Sequence, residues 1–162
     1  MKKLRIGWFT FTCCEDSTIM FTELLNTRWE EWKDKLEFVH AKTLQAHNEM
    51  REMDVVFVEG AIASEAQVAK LQQIRGLTKK LVAIGACAVV GMPSAQRNNF
   101  DEATKQEIAP FLLQFHQADK IRTIADIVPI DDRVPGCPMN EQIFLNTLNK
   151  YLKEFGLISS SP

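Results

Sequence analysis

Four consecutive apolar residues, Val55-Val56-Phe57-Val58, lie between Asp54 and Glu59, and Gly60 breaks the run. So short a stretch, rich in β-branched and aromatic side chains, suits a strand buried on both faces. A strand with no solvent-facing side needs cover above and below, which restricts the chain to a layered α/β arrangement. The flanking segments agree. Leu4 to Thr10, Leu36 to Ala41 and Leu81 to Ile84 read as further strands, the last ended by Gly85. Ile124 to Ile130 reads as a last short strand or extended segment.

Helical periodicity fills the intervals. Ser17 is placed to cap a helix from about Thr18 to Asn26, and Ser64 begins another to about Leu77. Residues from about Leu44 to Met53 read as a short helix. A helix over roughly Asp101 to Gln114 is disturbed by Pro110, and its Phe111, Leu112, Leu113 and Phe115 look like core packing. Glu141 to Phe155 carries Ile143, Phe144, Leu148, Tyr151 and Leu152 on one side. The alternation predicts a three-layer α/β domain with a mostly parallel sheet. With 162 residues, one domain over 1–158 with a tail at 159–162 is expected.

The formal net charge of −2 argues against a nucleic-acid footprint, which needs a basic excess. No run of 18 apolar residues exists, so no membrane-spanning helix is expected. Met1 to Ile6 is basic but leads into a strand rather than a signal peptide. A cytoplasmic location is the expectation.

Chemistry is concentrated in four cysteines: Cys13, Cys14, Cys87 and Cys137. In a reducing compartment such a set argues for metal or catalysis more than for disulfides. Each follows a predicted strand, at the edge where open α/β sheets bind ligands. Four thiolates suit a four-iron cluster, which takes one cysteine per iron. Zinc also accepts four cysteines, although its structural sites commonly use pairs spaced by two to four residues. Buried, inert core cysteines are the third reading. In strand geometry Cys13 and Cys14 would face opposite ways, so sharing one site requires the backbone to leave the strand there. Gly85 and Gly136 would permit the close backbone approach a cluster needs. Pro138 suits the first turn of the last helix, which would put Cys137 at a helix N-terminus.

The segments Cys13-Cys14-Glu15, Val58-Glu59-Gly60-Ala61-Ile62, Gly85-Ala86-Cys87-Ala88 and Pro135-Gly136-Cys137-Pro138 occur in this order. Together, over about Lys3 to Phe155, they resemble the small subunit of nickel–iron hydrogenases. They also resemble the homologous cluster-bearing 20-kilodalton subunit of respiratory complex I. The resemblance implies a flavodoxin-like domain with one proximal 4Fe-4S cluster on Cys13, Cys14, Cys87 and Cys137. It also implies a large-subunit partner carrying the nickel–iron centre, with further electron-transfer subunits or a soluble carrier beyond. Three departures stand out. The first two cysteines are adjacent, as in the complex I type. Met139 replaces a second proline common after the last cysteine. The extra cysteines of longer hydrogenase subunits are absent from this sequence.

The resemblance therefore implies an oxidoreductase subunit that is inactive alone. It relays electrons between a nickel–iron site and an external partner. Passing electrons to quinone, or a non-catalytic scaffold role, are the alternatives. No amphipathic helix with a strongly basic face appears, which favours the soluble type. Glu15 resembles a glutamate near the first cysteines of hydrogenases and is a candidate proton relay. Glu59 ends a strand at the same edge and reads as a capping or interface acid. His40, His47 and His116 are scattered, with no ligand spacing to a cysteine. Trp29, Trp32 and Phe38 read as core or interface. No glycine-rich phosphate loop follows the first strand, and flavin binding is left undecided.

Overall fold

A computed structural model describes residues 2–159. The tail expected at 159–162 therefore lies, but for Ser159, outside the described residues. The sheet has five strands: β1 (Leu4–Thr10), β2 (Leu36–Ala41), β3 (Met53–Glu59), β4 (Thr78–Ile84) and β5 (Asp132–Val134). Their order is β2-β1-β3-β4-β5, and every pairing is parallel. This is the flavodoxin-like doubly wound order, whose direction of winding reverses at β1 and β3.

β3 lies in the middle and is buried along its whole length. Its residues alternate between two cores, as strand geometry requires. Val55 and Phe57 pack with Trp8, Phe21, Trp32, Phe144 and Leu148 beneath α1 (Asp16–Trp32) and α5 (Glu141–Glu154). Val56 and Val58 pack with Phe9, Leu71, Ile74 and Ile124 beneath α2 (Glu65–Gly76). Two cores on two faces of one sheet make three layers. Trp8 stacks on Phe21 with ring centroids 4.3 Å apart, which fixes α1 over β1.

Several elements differ from the sequence-based expectation, each for a physical reason. α1 begins at Asp16 and runs to Trp32, so Ser17 lies inside it rather than capping it. Burial of Trp32 carries the helix past Asn26. No helix forms between Leu44 and Met53. There Asn48 accepts the Ala41 N–H at 2.7 Å and donates to the Gln45 carbonyl at 2.9 Å, replacing helical bonds with its side chain. The last strand is Asp132–Val134, not Ile124 to Ile130. Ile124 instead starts a turn that accepts the N–H groups of Ile127 and Val128 at 3.1 Å, and its side chain is buried against α2. An apolar run alone cannot tell such a turn from a strand.

α3 (Gly85–Val90) is a short helix that follows β4 directly. α4 (Glu102–Gln114) starts on an Asp101 cap and continues through Pro110, with no buried residue. Phe111, Leu113 and Phe115 are exposed, so the core role expected for them is not observed. Among the described residues no helix is long and apolar enough to cross a membrane.

Candidate functional site

All strands point the same way, so the segments that follow them open on one edge. Cys13 and Cys14 follow β1, Cys87 lies in the first turn of α3 beyond β4, and Cys137 lies in a tight turn beyond β5. The structure brings all four to one cleft of about 230 Å³ including its open mouth. Asp16, Ser17, Glu59, Gly85 and Gly136 share its walls. Cys87 is buried, Cys13 half-buried, and Cys14 and Cys137 face out.

The adjacent cysteines reach one cleft because the chain leaves strand geometry beyond Thr10. Phe11 and Thr12 donate their N–H groups to the carbonyls of Glu59 (2.8 Å) and Ala61 (3.0 Å), which bends the segment across β3. Glu15 then takes a left-handed conformation, with φ at 64°. A non-glycine residue there is uncommon and marks a sharp redirection into α1. Cys137 sits before Pro138 in a turn closed by Gly136 and Met139. α5 starts only at Glu141 on an Asn140 cap, so Cys137 is not at a helix N-terminus as the sequence suggested.

Two glycines let these turns meet. The Ala86 N–H donates to the Gly136 carbonyl at 2.7 Å, joining the Cys87 and Cys137 segments. Gly136 has φ at +119°, and a Cβ there would lie 2.5 Å from the Pro138 carbonyl oxygen. Gly85 has φ at +80°, and its Cβ would lie 3.0 Å from Ser17 Oγ. Ser17 Oγ also accepts the Met139 N–H at 3.2 Å, so α1 is tied to the Cys137 turn.

Glu59 closes the back of the cleft. Its buried carboxylate accepts the N–H groups of Ser17 (3.0 Å) and Thr18 (3.1 Å), and the Thr18 hydroxyl at 2.6 Å. It thus supplies the cap that α1 lacks from its own sequence, a negative charge at a helix N-terminus. Glu15 is exposed and does not line the cysteine cleft. It lines a neighbouring cavity of about 320 Å³ with Trp8, Phe9, Thr10, His40, Lys42, Thr43 and Lys70. His40 is buried there, stacked on Phe9, with Nδ1 3.3 Å from the Trp8 carbonyl oxygen.

The thiols feel their surroundings. Burial, with the Glu59 charge second, pushes the Cys13 thiol up to about 12. At Cys14 the Asp16 N–H pulls the thiol down, but the Asp16 carboxyl, burial and the charge of Cys137 together raise it. A negative sulfur at Cys13 or Cys14 is therefore disfavoured unless a cation sits beside it, which is the setting in which a coordinating thiol gives up its proton. One atom each from Cys14, Asp16 and Cys137 already lie within 4.8 Å of one another. A set of four sulfurs without histidine, on glycine turns open enough for close approach, fits an iron–sulfur cluster. Asp16, which lines the cleft, and Ser94, which lies beside Cys87, were not singled out from the sequence as site components. Ser94, which bonds to Cys87 Sγ, lies in a polar loop with no signal of its own.

Residues 13–151 match the family described as NADH ubiquinone oxidoreductase, 20 Kd subunit. The chain belongs to this family. Among curated relatives, the NAD-reducing hydrogenase HoxS subunit delta of Cupriavidus necator is 24% identical across 98% of this chain and 84% of its own length. The sulfhydrogenase 2 subunit delta of Pyrococcus furiosus is 25% identical, over 87% of this chain and 59% of the relative. An F420-non-reducing hydrogenase chain of Methanothermobacter marburgensis is 23% identical over 66% of this chain, and the match spans only 39% of that protein's length. A chain in the crystal structure of an NAD+-reducing [NiFe]-hydrogenase in the H2-reduced state superposes with a TM-score of 0.80. That match, at 24% identity, covers 93% of this chain and 92% of the other. The shared fold thus extends over nearly the whole chain.

Proposed function

We propose that this protein is the electron-transferring small subunit of a soluble nickel–iron hydrogenase-type complex. The observation that carries the proposal is the meeting of Cys13, Cys14, Cys87 and Cys137 on one cleft at the ligand-binding edge of the sheet. In this reading the four cysteines hold one 4Fe-4S cluster, and a large-subunit partner carries the nickel–iron centre. The cluster supplies one-electron transfer when bound. The chain's own residues do the rest. Cys14 and Cys137, exposed on the rim, face the side on which a partner can approach. Buried Cys87 and half-buried Cys13 hold the inner side away from water. Glu59 and the Ser17 hydroxyl lock α1 and the Cys137 turn in place. Further electron-transfer subunits, and a cytoplasmic location, belong to the same reading.

Glu15 lines the neighbouring cavity and not the cysteine cleft, so a proton relay through it runs by way of that cavity. The second reading, a subunit passing electrons to quinone, is favoured by the adjacent Cys13-Cys14 pair and the family description. Purifying the complex anaerobically, with iron and nickel analysis of each chain, separates the two. Four irons on this chain and nickel in the copurifying large subunit support the hydrogenase type. Four irons without nickel support the quinone type or a scaffold role, and zinc in place of iron overturns electron transfer altogether.

A further inference from the structure

Ser94 lies in the turn after α3, and its Oγ is 3.2 Å from Cys87 Sγ and 3.0 Å from the Thr12 carbonyl oxygen. The contact is held from both sides. Ala95, the next residue, donates its N–H to the Gly91 carbonyl at 2.7 Å. Its side chain packs with Cys87, Ala61, Ala63 and Ile121, against Cys13. The hydroxyl is thus fixed beside a buried sulfur rather than free to leave it.

A serine hydroxyl has one proton and two lone pairs. While Cys87 is a thiol, its S–H can donate to Ser94 Oγ, and the Ser94 O–H to the Thr12 carbonyl. Every group then has a partner. A metal-bound Cys87 has lost that proton and can only accept. With the Ser94 proton still on Thr12, an oxygen lone pair would face a thiolate across 3.2 Å. Rotation of the O–H toward Sγ removes the conflict. The Thr12 carbonyl is not stranded by the turn, because it also accepts the Ala61 N–H at 2.9 Å.

We propose that Ser94 donates a hydrogen bond to the Cys87 ligand sulfur and thereby raises the reduction potential of the cluster. This rests on the reading of the four cysteines as cluster ligands. A donor at a ligand sulfur draws off negative charge, and the reduced cluster is the more negative form. The bond therefore favours reduction. Ser94 is a positioning and tuning residue and takes no part in the chemistry at the nickel–iron centre.

The test is a redox titration of the anaerobically purified complex, followed by electron paramagnetic resonance, for the parent, Ser94→Ala and Ser94→Thr. The expected result is four irons on this chain in all three. The Ala variant shifts its midpoint to lower potential, and the Thr variant returns it most of the way. An unchanged midpoint in a fully loaded Ser94→Ala complex would leave the proton on Thr12 and overturn the proposal. Iron lost in the Ala variant but kept in the Thr variant would assign the hydroxyl to holding the turn, and also overturns it. A parent complex without four irons would instead bring down the underlying cluster reading, an outcome separate from the other two.

Discussion

Glu59 is the side chain on which three parts of the cleft depend. It ends β3, caps α1 through Ser17 and Thr18, and its charge bears on Cys13. Its position at the strand end was readable from the sequence as that of a capping acid. Its partners were not, because they lie 41 and 42 residues away. Replacing Glu59 by Gln turns one acceptor oxygen into an NH2 facing backbone donors. The expected loss is about 1–3 kcal/mol of stability, read by urea unfolding of the purified chain. A change within about 0.5 kcal/mol would show that α1 needs no such cap. The gathering of Cys13, Cys14 and Cys87 was legible, since each follows a strand read from the sequence and strand ends of a parallel sheet converge; Cys137 follows a strand, Asp132–Val134, that was placed too early in the sequence. Ser94 was not legible, because an isolated serine in a polar loop carries no periodicity.

Among the elements, the first four strands and the helix capped by Ser64 were readable, whereas the last strand and the connections were not. Ser64 accepts the Gln67 N–H at 3.3 Å and starts α2 as its sequence indicates. α4 shows the limit of pattern reading. Its apolar residues recur at helical spacing, but periodicity reports that a face is apolar, not what covers it. Among the described residues nothing covers that face fully, since no residue of α4 is buried. Leu113→Ser, at a position 79% exposed, should therefore leave the stability of the isolated chain within about 0.5 kcal/mol. Leu148→Ala on α5, at 1% exposure, should cost about 2–5 kcal/mol. Thermal unfolding of the two variants side by side checks the contrast. Equal losses would mean that α4 is packed in solution and that the core extends beneath it. The loop over 44–52 and the turn at Ile124 went unread for a related reason. In both, one side chain or one buried contact outweighs local propensity.

At the scale of the whole molecule, the doubly wound sheet does two things at once. It buries β3 completely between two helical layers, and it gathers the ends of β1, β4 and β5 at one edge. Four cysteines scattered over the chain from residue 13 to residue 137 become one cleft for that reason. The central claim is that these four sulfurs together hold a single cluster. The most direct measurement is iron per chain in the anaerobically purified complex carrying Cys13→Ser, Cys14→Ser, Cys87→Ser or Cys137→Ser singly, beside the parent. About four irons are expected in the parent. Loss of iron, or an altered cluster spectrum, is expected in every one of the variants. A Cys137→Ser complex with the parent's iron content and an unchanged spectrum would contradict the claim.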